Sequence, residues 1–478
     1  MKKILFAGAE AMPFAATGGL GDVLGSLPAA LAKSEDTDVR VVLPLYAAVT
    51  DAWRQKMTLE KVFYVKLAWR EQYCGIYSLS HNGVTYYFLD NEYYFKRQAL
   101  YGFGDDAERY AFYSMAVMEM MAQIGYYPDV LHAHDWQAAM TVVYLNCLYR
   151  QRPGYGDIRT VFTIHNIEYQ GQYDFAILGD VFALGENEHT LMEYGGCINL
   201  MKAAIECADR VSTVSPRYAE EIRTAEYAHG LEHCLNRHAD KLCGILNGID
   251  YEYYNPKTDK VIAANFSLRS MKGKAECKRA LQVETGLPTR DDVPMLAVIS
   301  RLAAHKGLDL IAACIYDIVL HQDVQLVVLG KGESRYEQFF TDLQRNFPDK
   351  VRALITYDRD LSKRIYAATD IFLMPSKSEP CGLSQMIASR YAAIPVVRET
   401  GGLFDSIKPY WEDKKTIHGN GFTFANYDPA ELKERTEAAI ALWNDADSRK
   451  RLVTKIMKTD FSWTASAEKY QALYDTLV

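Results

Sequence analysis

Short runs of β-branched and aliphatic residues recur along the chain, each followed by a stretch whose apolar positions repeat every three to four residues. In the first half the runs are Lys2–Ala9, Val39–Leu43, Val84–Leu89, Val130–His134, Thr160–His165 and Arg210–Val214. Helical spacing marks Tyr110–Ile124 and Gln137–Tyr149 between them. Continuous apolar runs predict strands buried on both faces, and their alternation with helices predicts βαβ units around a parallel sheet. The second half repeats the design, with strands at Met295–Ser300, Gln325–Leu329, Ala353–Thr356, Ile371–Met374 and Pro395–Val397, and helices at Leu308–Leu320, Ser362–Thr369 and Ser384–Ala393. Two such series predict an α/β protein of two facing, doubly wound, Rossmann-like domains.

The change-over falls at the turn-rich segment Leu246-Asn247-Gly248-Ile249-Asp250. It gives an N-terminal domain over residues 1–248 and a C-terminal domain over 249–457. In the terminal segment, 458–478, Trp463, Ala467, Tyr470, Leu473 and Leu477 stand at helical spacing. They predict a closing helix that crosses back to the first domain. Doubly wound sheets bind ligands beyond the carboxyl ends of their strands, so chemistry is expected in the turns there and in a cleft between the domains.

Composition narrows the class. Of 478 residues, 49% are apolar and 24% charged, which excludes disordered, collagen-like and disulfide-scaffold chains. Asp and Glu outnumber Lys and Arg 61 to 53, a net charge of −8, so the basic field of a general nucleic-acid binder is missing. The nine cysteines contain no CxxC pair, which argues against a zinc ribbon or redox dithiol and suits a reducing compartment. Lys2-Lys3 followed by Ile4–Ala9 imitates a signal peptide, but Glu10 interrupts the apolar run and a buried first strand is the better reading. Neither this run nor Phe112–Tyr127 is long and apolar enough to span a bilayer. A cytoplasmic protein is expected.

Unusual residues cluster after the strands. Thr17-Gly18-Gly19-Leu20-Gly21-Asp22 follows the first strand and opens a helix, where glycines allow close approach of a ligand and free N–H groups face it. It lacks the GxGxxG pattern. His132-Ala133-His134-Asp135-Trp136 and Thr163-Ile164-His165-Asn166 end two further strands. Arg301 at a strand end and Lys306 at the next helix start form a candidate diphosphate clamp, or a solvated surface pair. Glu379-Pro380-Cys381-Gly382-Leu383-Ser384 precedes another helix; Glu379 either binds sugar hydroxyls or caps that helix. Asp358 and Asp360 form a D-x-D triplet, and His229, His233, Cys234, His238 and Cys243 resemble zinc ligands without a complete zinc pattern, so no metal is expected.

The segments ATGGLGD, HAHDW, TIHN with a following YQG, ILNGID, SRL with a following KG, and SEPCGLSQM occur in an order and spacing that resembles bacterial glycogen synthases and plant starch synthases, from residue 2 to the terminal helix. The resemblance implies the GT-B fold, no cofactor, and retaining transfer of glucose from ADP-glucose to the non-reducing 4-hydroxyl of an α-1,4-glucan, glycogen or maltooligosaccharide. Position by position, it implies that Gly18 and Gly19 lie beside the diphosphate and that Asp22 and Asp135 belong to the acceptor side. His165 is expected near the sugar's 6-hydroxyl, with Asn247 reaching the donor sugar. Arg301 and Lys306 bind the diphosphate and Tyr357 stacks on adenine. Glu379 sits at the transferred glucose, with Cys381, Leu383 and Ser384 around it and the phosphate. One position departs: the family's lysine in the first loop is Ala16 here, which removes a cation expected near the diphosphate.

A nucleoside diphosphate leaves readily once its charge is stabilised, so the two flanking carboxylates of a glycosidase are not required. Eight residues after Glu379, where some related transferases keep a second Glu, stands Ile387. The expected mechanism is front-face attack, the leaving phosphate oxygen taking the acceptor's proton, with domain closure excluding water. Two other readings stand beside it: a transferase of the same fold with another donor, and a glucan-binding relative with little turnover.

Overall fold

The computed structural model describes residues 1–414 and 416–478, and the chain divides into two compact units. The first comprises Met1–Asn247 and Trp463–Val478, the second Gly248–Ser462.

The first unit is built on a nine-stranded sheet. Across it run Leu242–Gly244, Arg210–Thr213, Arg159–Ile164, Val130–His134, Lys2–Ala7, Thr37–Pro44, Val84–Asp90, Arg70–His81 and Thr58–Leu67. The first seven are parallel and their central members are buried on both faces. The chain leaves Lys2–Ala7 toward one edge and later returns to Val130–His134 on its other side. The order therefore reverses between these two strands, and the carboxyl ends on either side of the reversal are left uncovered.

The last two strands were not expected. Thr58–Leu67 and Arg70–His81 form an antiparallel hairpin whose inner member also pairs with Val84–Asp90. Only Phe63, Val65 and Leu67 of the outer strand are buried, an alternating pattern rather than the continuous run sought. The helix expected over Gln137–Tyr149 is also corrected. It is an α-helix over Asp135–Tyr144 that widens into a π-turn over Leu145–Tyr149.

The terminal helix Trp463–Asp475 packs on Gly19–Leu31 within the first unit. Its Tyr474 hydroxyl lies 2.7 Å from Nδ1 of the fully buried His132, and Lys2 pairs with Asp475 at 2.5 Å.

The second unit carries an all-parallel six-stranded sheet in the order Val351–Leu354, Gln325–Leu329, Met295–Ile299, Ile371–Met374, Ile394–Arg398 and Phe422–Phe424. Its reversal lies between Met295–Ile299 and Ile371–Met374. Helices Leu308–His321 and Pro429–Asn444 bury Leu308, Ile311, Ile315, Leu432 and Ile440 against this sheet. Among the described residues no helix is long and apolar enough to cross a membrane.

Tyr474→Phe removes the hydroxyl that satisfies a buried imidazole while keeping the ring. It is expected to cost about 1–3 kcal/mol, the penalty for an orphaned buried polar atom. Urea denaturation measures it; an unshifted midpoint would show that the bond contributes nothing.

Candidate active site

In the first unit, the loop after Lys2–Ala7 is shaped by a residue the motif reading missed. Glu10 is 2% exposed. Its carboxylate accepts hydrogen bonds from Thr17 N (2.7 Å), Thr17 Oγ1 (2.7 Å), Gly18 N (3.2 Å) and the Tyr101 hydroxyl (2.8 Å). The buried anion thus bends the chain so that Gly18 and Gly19 stand exposed at the start of the helix Gly19–Leu31. A Cβ on either would meet no protein atom within 4 Å. The packing around this loop thus does not itself require glycine at either position. Gly21 differs, because a Cβ would fall 2.3 Å from Cβ of Ala16. Asp22 lies in the first turn of the same helix, partly buried.

Across the reversal, Val130–His134 delivers His134 and Asp135. Asp135 adopts φ 56°, a left-handed conformation that aspartate tolerates better than most side chains. It is partly buried, and its Oδ1 accepts from His165 N at 2.7 Å. This bond joins two sequence-predicted residues from neighbouring strands. Nδ1 of His134 lies 2.9 Å from Nε2 of His165, and Nε2 of His134 is buried without a partner among the described residues. A bare buried acceptor costs less than an orphaned N–H. His134 therefore carries its proton on Nδ1 and donates to His165, which places the His165 proton on its own Nδ1. Behind them His132 Nε2, Thr163 Oγ1 and Ser212 Oγ form a buried polar chain with 2.6 Å links. Asn247, at the end of the unit's first segment, is 6% exposed, and its buried Oδ1 has no partner among the described residues.

In the second unit, the reversal holds a small cavity of about 80 Å³. Its walls include Ser300 from one central strand end and Ser376, Glu379, Leu383 and Ser384 from beyond the other. Lys306 Nζ pairs with Glu379 Oε2 at 2.8 Å, and the Ser376 hydroxyl donates to the same oxygen at 2.9 Å. Lys306 and Glu379 were predicted for this site; Ser376 was not. Arg301 follows the neighbouring strand and is exposed, outside the cavity lining. Cys381 is 6% exposed, and its carbonyl accepts from Gln385 Nε2. Tyr357 is 77% exposed beyond the sheet's outer strand, with Arg359 Nε 3.2 Å from its hydroxyl, and does not line the cavity. Of the D-x-D triplet, Asp358 caps the helix Arg359–Ala368 by accepting from Leu361 N.

The Glu379 loop rests on glycines that went unnoticed. Gly402 N donates to the carbonyls of Glu379 and Pro380, both at 3.1 Å. A Cβ on Gly401 would fall 2.0 Å from the Glu379 carbonyl oxygen. The signal was legible: Thr400-Gly401-Gly402 follows a strand just as Thr17-Gly18-Gly19 does.

Burial sets protonation in the first unit. It holds His165 down to about 3 and His132 and His134 well below the usual imidazole value, neighbouring imidazoles adding to the shift of the last two. The same burial pushes Asp135 up to about 7, against the N–H groups of His165 and Asn166. Each depressed imidazole contributes stability that is complete above its unfolded value near 6.5 and is lost as pH falls toward the folded value. The Asp135 carboxyl runs the other way: its contribution is complete below about 4 and is lost as pH rises through about 7. With three imidazoles against one carboxyl, the thermal midpoint is expected to fall between about pH 6.5 and 5, and His134→Gln to flatten the slope. A midpoint that rises over that range would contradict the assignment.

The chain matches two family models, the starch synthase catalytic domain over residues 3–237 and the glycosyl transferases group 1 over residues 284–458. It is 47% identical to a glycogen synthase of Desulforamulus reducens, over 100% of this chain and 99% of that protein. It is 45% identical to one of Ligilactobacillus salivarius, over 100% of both. Its structure superposes on the catalytic domain of starch synthase IV from Arabidopsis thaliana, bound to ADP and acarbose, with a TM-score of 0.91 and 36% identity, covering 100% of this chain and 99% of that one. Two doubly wound units of this topology are the GT-B fold of glycosyltransferases. The chain belongs to the glycogen and starch synthase family.

Proposed function

We propose that this chain transfers glucose from ADP-glucose, with retention, to the non-reducing 4-hydroxyl of an α-1,4-glucan such as glycogen or a maltooligosaccharide, in the cytoplasm. The observation that carries this reading is the Lys306–Glu379–Ser376 cluster at the cavity of the second sheet. A buried carboxylate fixed by an ammonium and a hydroxyl is a rigid negative group, suited to a sugar that gains positive character as its bond to phosphate breaks. Arg301 offers a forked set of donors for the departing diphosphate, and Lys306 a point charge beside it. Leu383, Ser384 and Cys381 surround that phosphate and the sugar. Tyr357, whose face is exposed, stacks on adenine. The ADP held by the Arabidopsis relative supports the choice of nucleotide.

In the first unit, His165 is neutral at working pH and bears its free proton on Nδ1. It therefore acts as a hydrogen-bond donor to a sugar hydroxyl, not as a general acid. Asp135 positions it through its backbone N–H. Gly18 and Gly19 present bare backbone to the diphosphate, Asp22 serves the acceptor, and the unpartnered Oδ1 of Asn247 accepts from a donor-sugar hydroxyl. The acceptor's proton passes to the leaving phosphate oxygen, which serves as its base. The new bond forms on the face from which ADP departs, and the anomeric configuration is kept.

ADP release from ADP-glucose, measured with and without glycogen and beside UDP-glucose, tests the assignment. Glycogen-dependent release from ADP-glucose is expected to exceed that from UDP-glucose. Preference for UDP-glucose, or ADP binding without turnover, would refute it. Glu379→Ala is expected to lower kcat by about 10²–10³-fold with a much smaller rise in donor KM, as befits a group whose interaction strengthens in the transition state. A change confined to KM would reassign Glu379 to ground-state binding.

A further inference from the structure

A second group of chemistry-bearing side chains lies elsewhere in the first unit. Glu206 is in the last turn of the helix Leu200–Cys207, Cys234 is in the helix Glu232–Arg237, and His238 follows that helix. One donor atom from each, a carboxylate oxygen, a sulfur and an imidazole nitrogen, lie within 4.8 Å of one another. Cys234 is buried, whereas Glu206 and His238 are partly exposed, so the group is reachable from solvent. The two helices lead into Arg210–Thr213 and Leu242–Gly244, neighbouring parallel strands. The triad therefore stands at the amino ends of the strands, the opposite edge of the sheet from His134, Asp135 and His165.

We propose that Glu206, Cys234 and His238 bind one divalent cation of the zinc class. Zinc takes thiolate, imidazole and carboxylate at about 2.0–2.3 Å in tetrahedral geometry, which sets the donors roughly 3.3–3.8 Å apart. Side-chain rotations bring the three donors to that spacing, and water completes the fourth position. Cys234 and His238, four residues apart, share one face, and His238 N donates to the Cys234 carbonyl at 3.2 Å. On binding, the Cys234 thiol gives its proton to solvent and its sulfur bonds the metal.

The surrounding charges decide which ion is taken. Lys202 lies 3.2 Å and Arg237 3.8 Å from Glu206 Oε1. Lys202 is itself anchored on the carbonyls of Thr190 and Leu191, and Lys241 Nζ on those of Glu206 and Ala208. A hard cation that seeks only oxygen must compete with these ammonium and guanidinium groups for one carboxylate. An ion that prefers sulfur and nitrogen draws most of its affinity from Cys234 and His238. The site thus selects Zn²⁺ or Co²⁺ over Mg²⁺ and Ca²⁺. When filled, it clamps the last turn of one helix to the segment that feeds the sheet's edge strand.

The full-length protein, stripped with a chelator, is titrated with ZnCl₂, CoCl₂, MgCl₂ and CaCl₂. Calorimetry is expected to show one Zn²⁺ per chain and no Mg²⁺ or Ca²⁺. Co²⁺ is expected to give a thiolate-to-metal charge-transfer band and Zn²⁺ a raised thermal midpoint. Cys234→Ser abolishes the band, and His238→Ala, at a partly exposed position, weakens Zn²⁺ binding at least tenfold. Metal-free Cys234→Ser keeps wild-type glucosyl transfer, since the triad stands at the opposite edge of the first unit's sheet from Asp135 and His165. Absence of stoichiometric zinc, a band that survives in Cys234→Ser but disappears in Cys207→Ser, or equal zinc binding by wild type and both variants would overturn the proposal.

Discussion

A parallel strand that stops between neighbours whose connections leave on opposite sides has its last peptide groups uncovered. Both sheets place clusters of polar side chains at that point. In the first unit it brings the Glu10-bound glycine loop and the Asp135–His165 bond to adjacent strands. In the second it brings Lys306, Ser376 and Glu379 around one cavity. Neither arrangement demands long-range adjustment of the fold; each follows once the strand order is set.

The carboxylates buried there are held by specific donors. Glu10 is saturated by backbone and hydroxyl donors, and Glu379 by an ammonium and a hydroxyl. The imidazoles of His132, His134 and His165 stay neutral instead, which removes the cost of burying charge. Burial is thus met in two ways: Glu379 is ion-paired in the second unit, and the imidazoles of the first stay neutral.

The central strands were legible in the sequence because burial on both faces writes a continuous apolar run. Val130–His134, Gln325–Leu329 and Ile371–Met374 carry the bounds expected of them. The hairpin Thr58–Leu67 and Arg70–His81 was not, since one face is solvated and its turn contains Ala68 at φ 53° rather than a glycine. Its junction with Val84–Asp90 did leave a sign, the Asn82-Gly83 pair with φ 49° and 78°, typical of a tight hairpin. Lys306 and Glu379, picked out from their motifs, pair at the wall of one cavity. Glu10 and Ser376 were missed, because their role is defined by contacts across a loop and not by spacing. Tyr357 was read as an adenine platform, and the structure leaves its ring exposed.

The terminal helix has a consequence for synthesis. Residues 463–478 complete the first unit, yet the whole of the second is encoded before them. On the ribosome the inserted unit can finish folding while the earlier one still lacks Tyr474, the partner of its buried His132. The half made first is therefore the half that closes last, and a truncated chain would strand an imidazole deep in its central sheet.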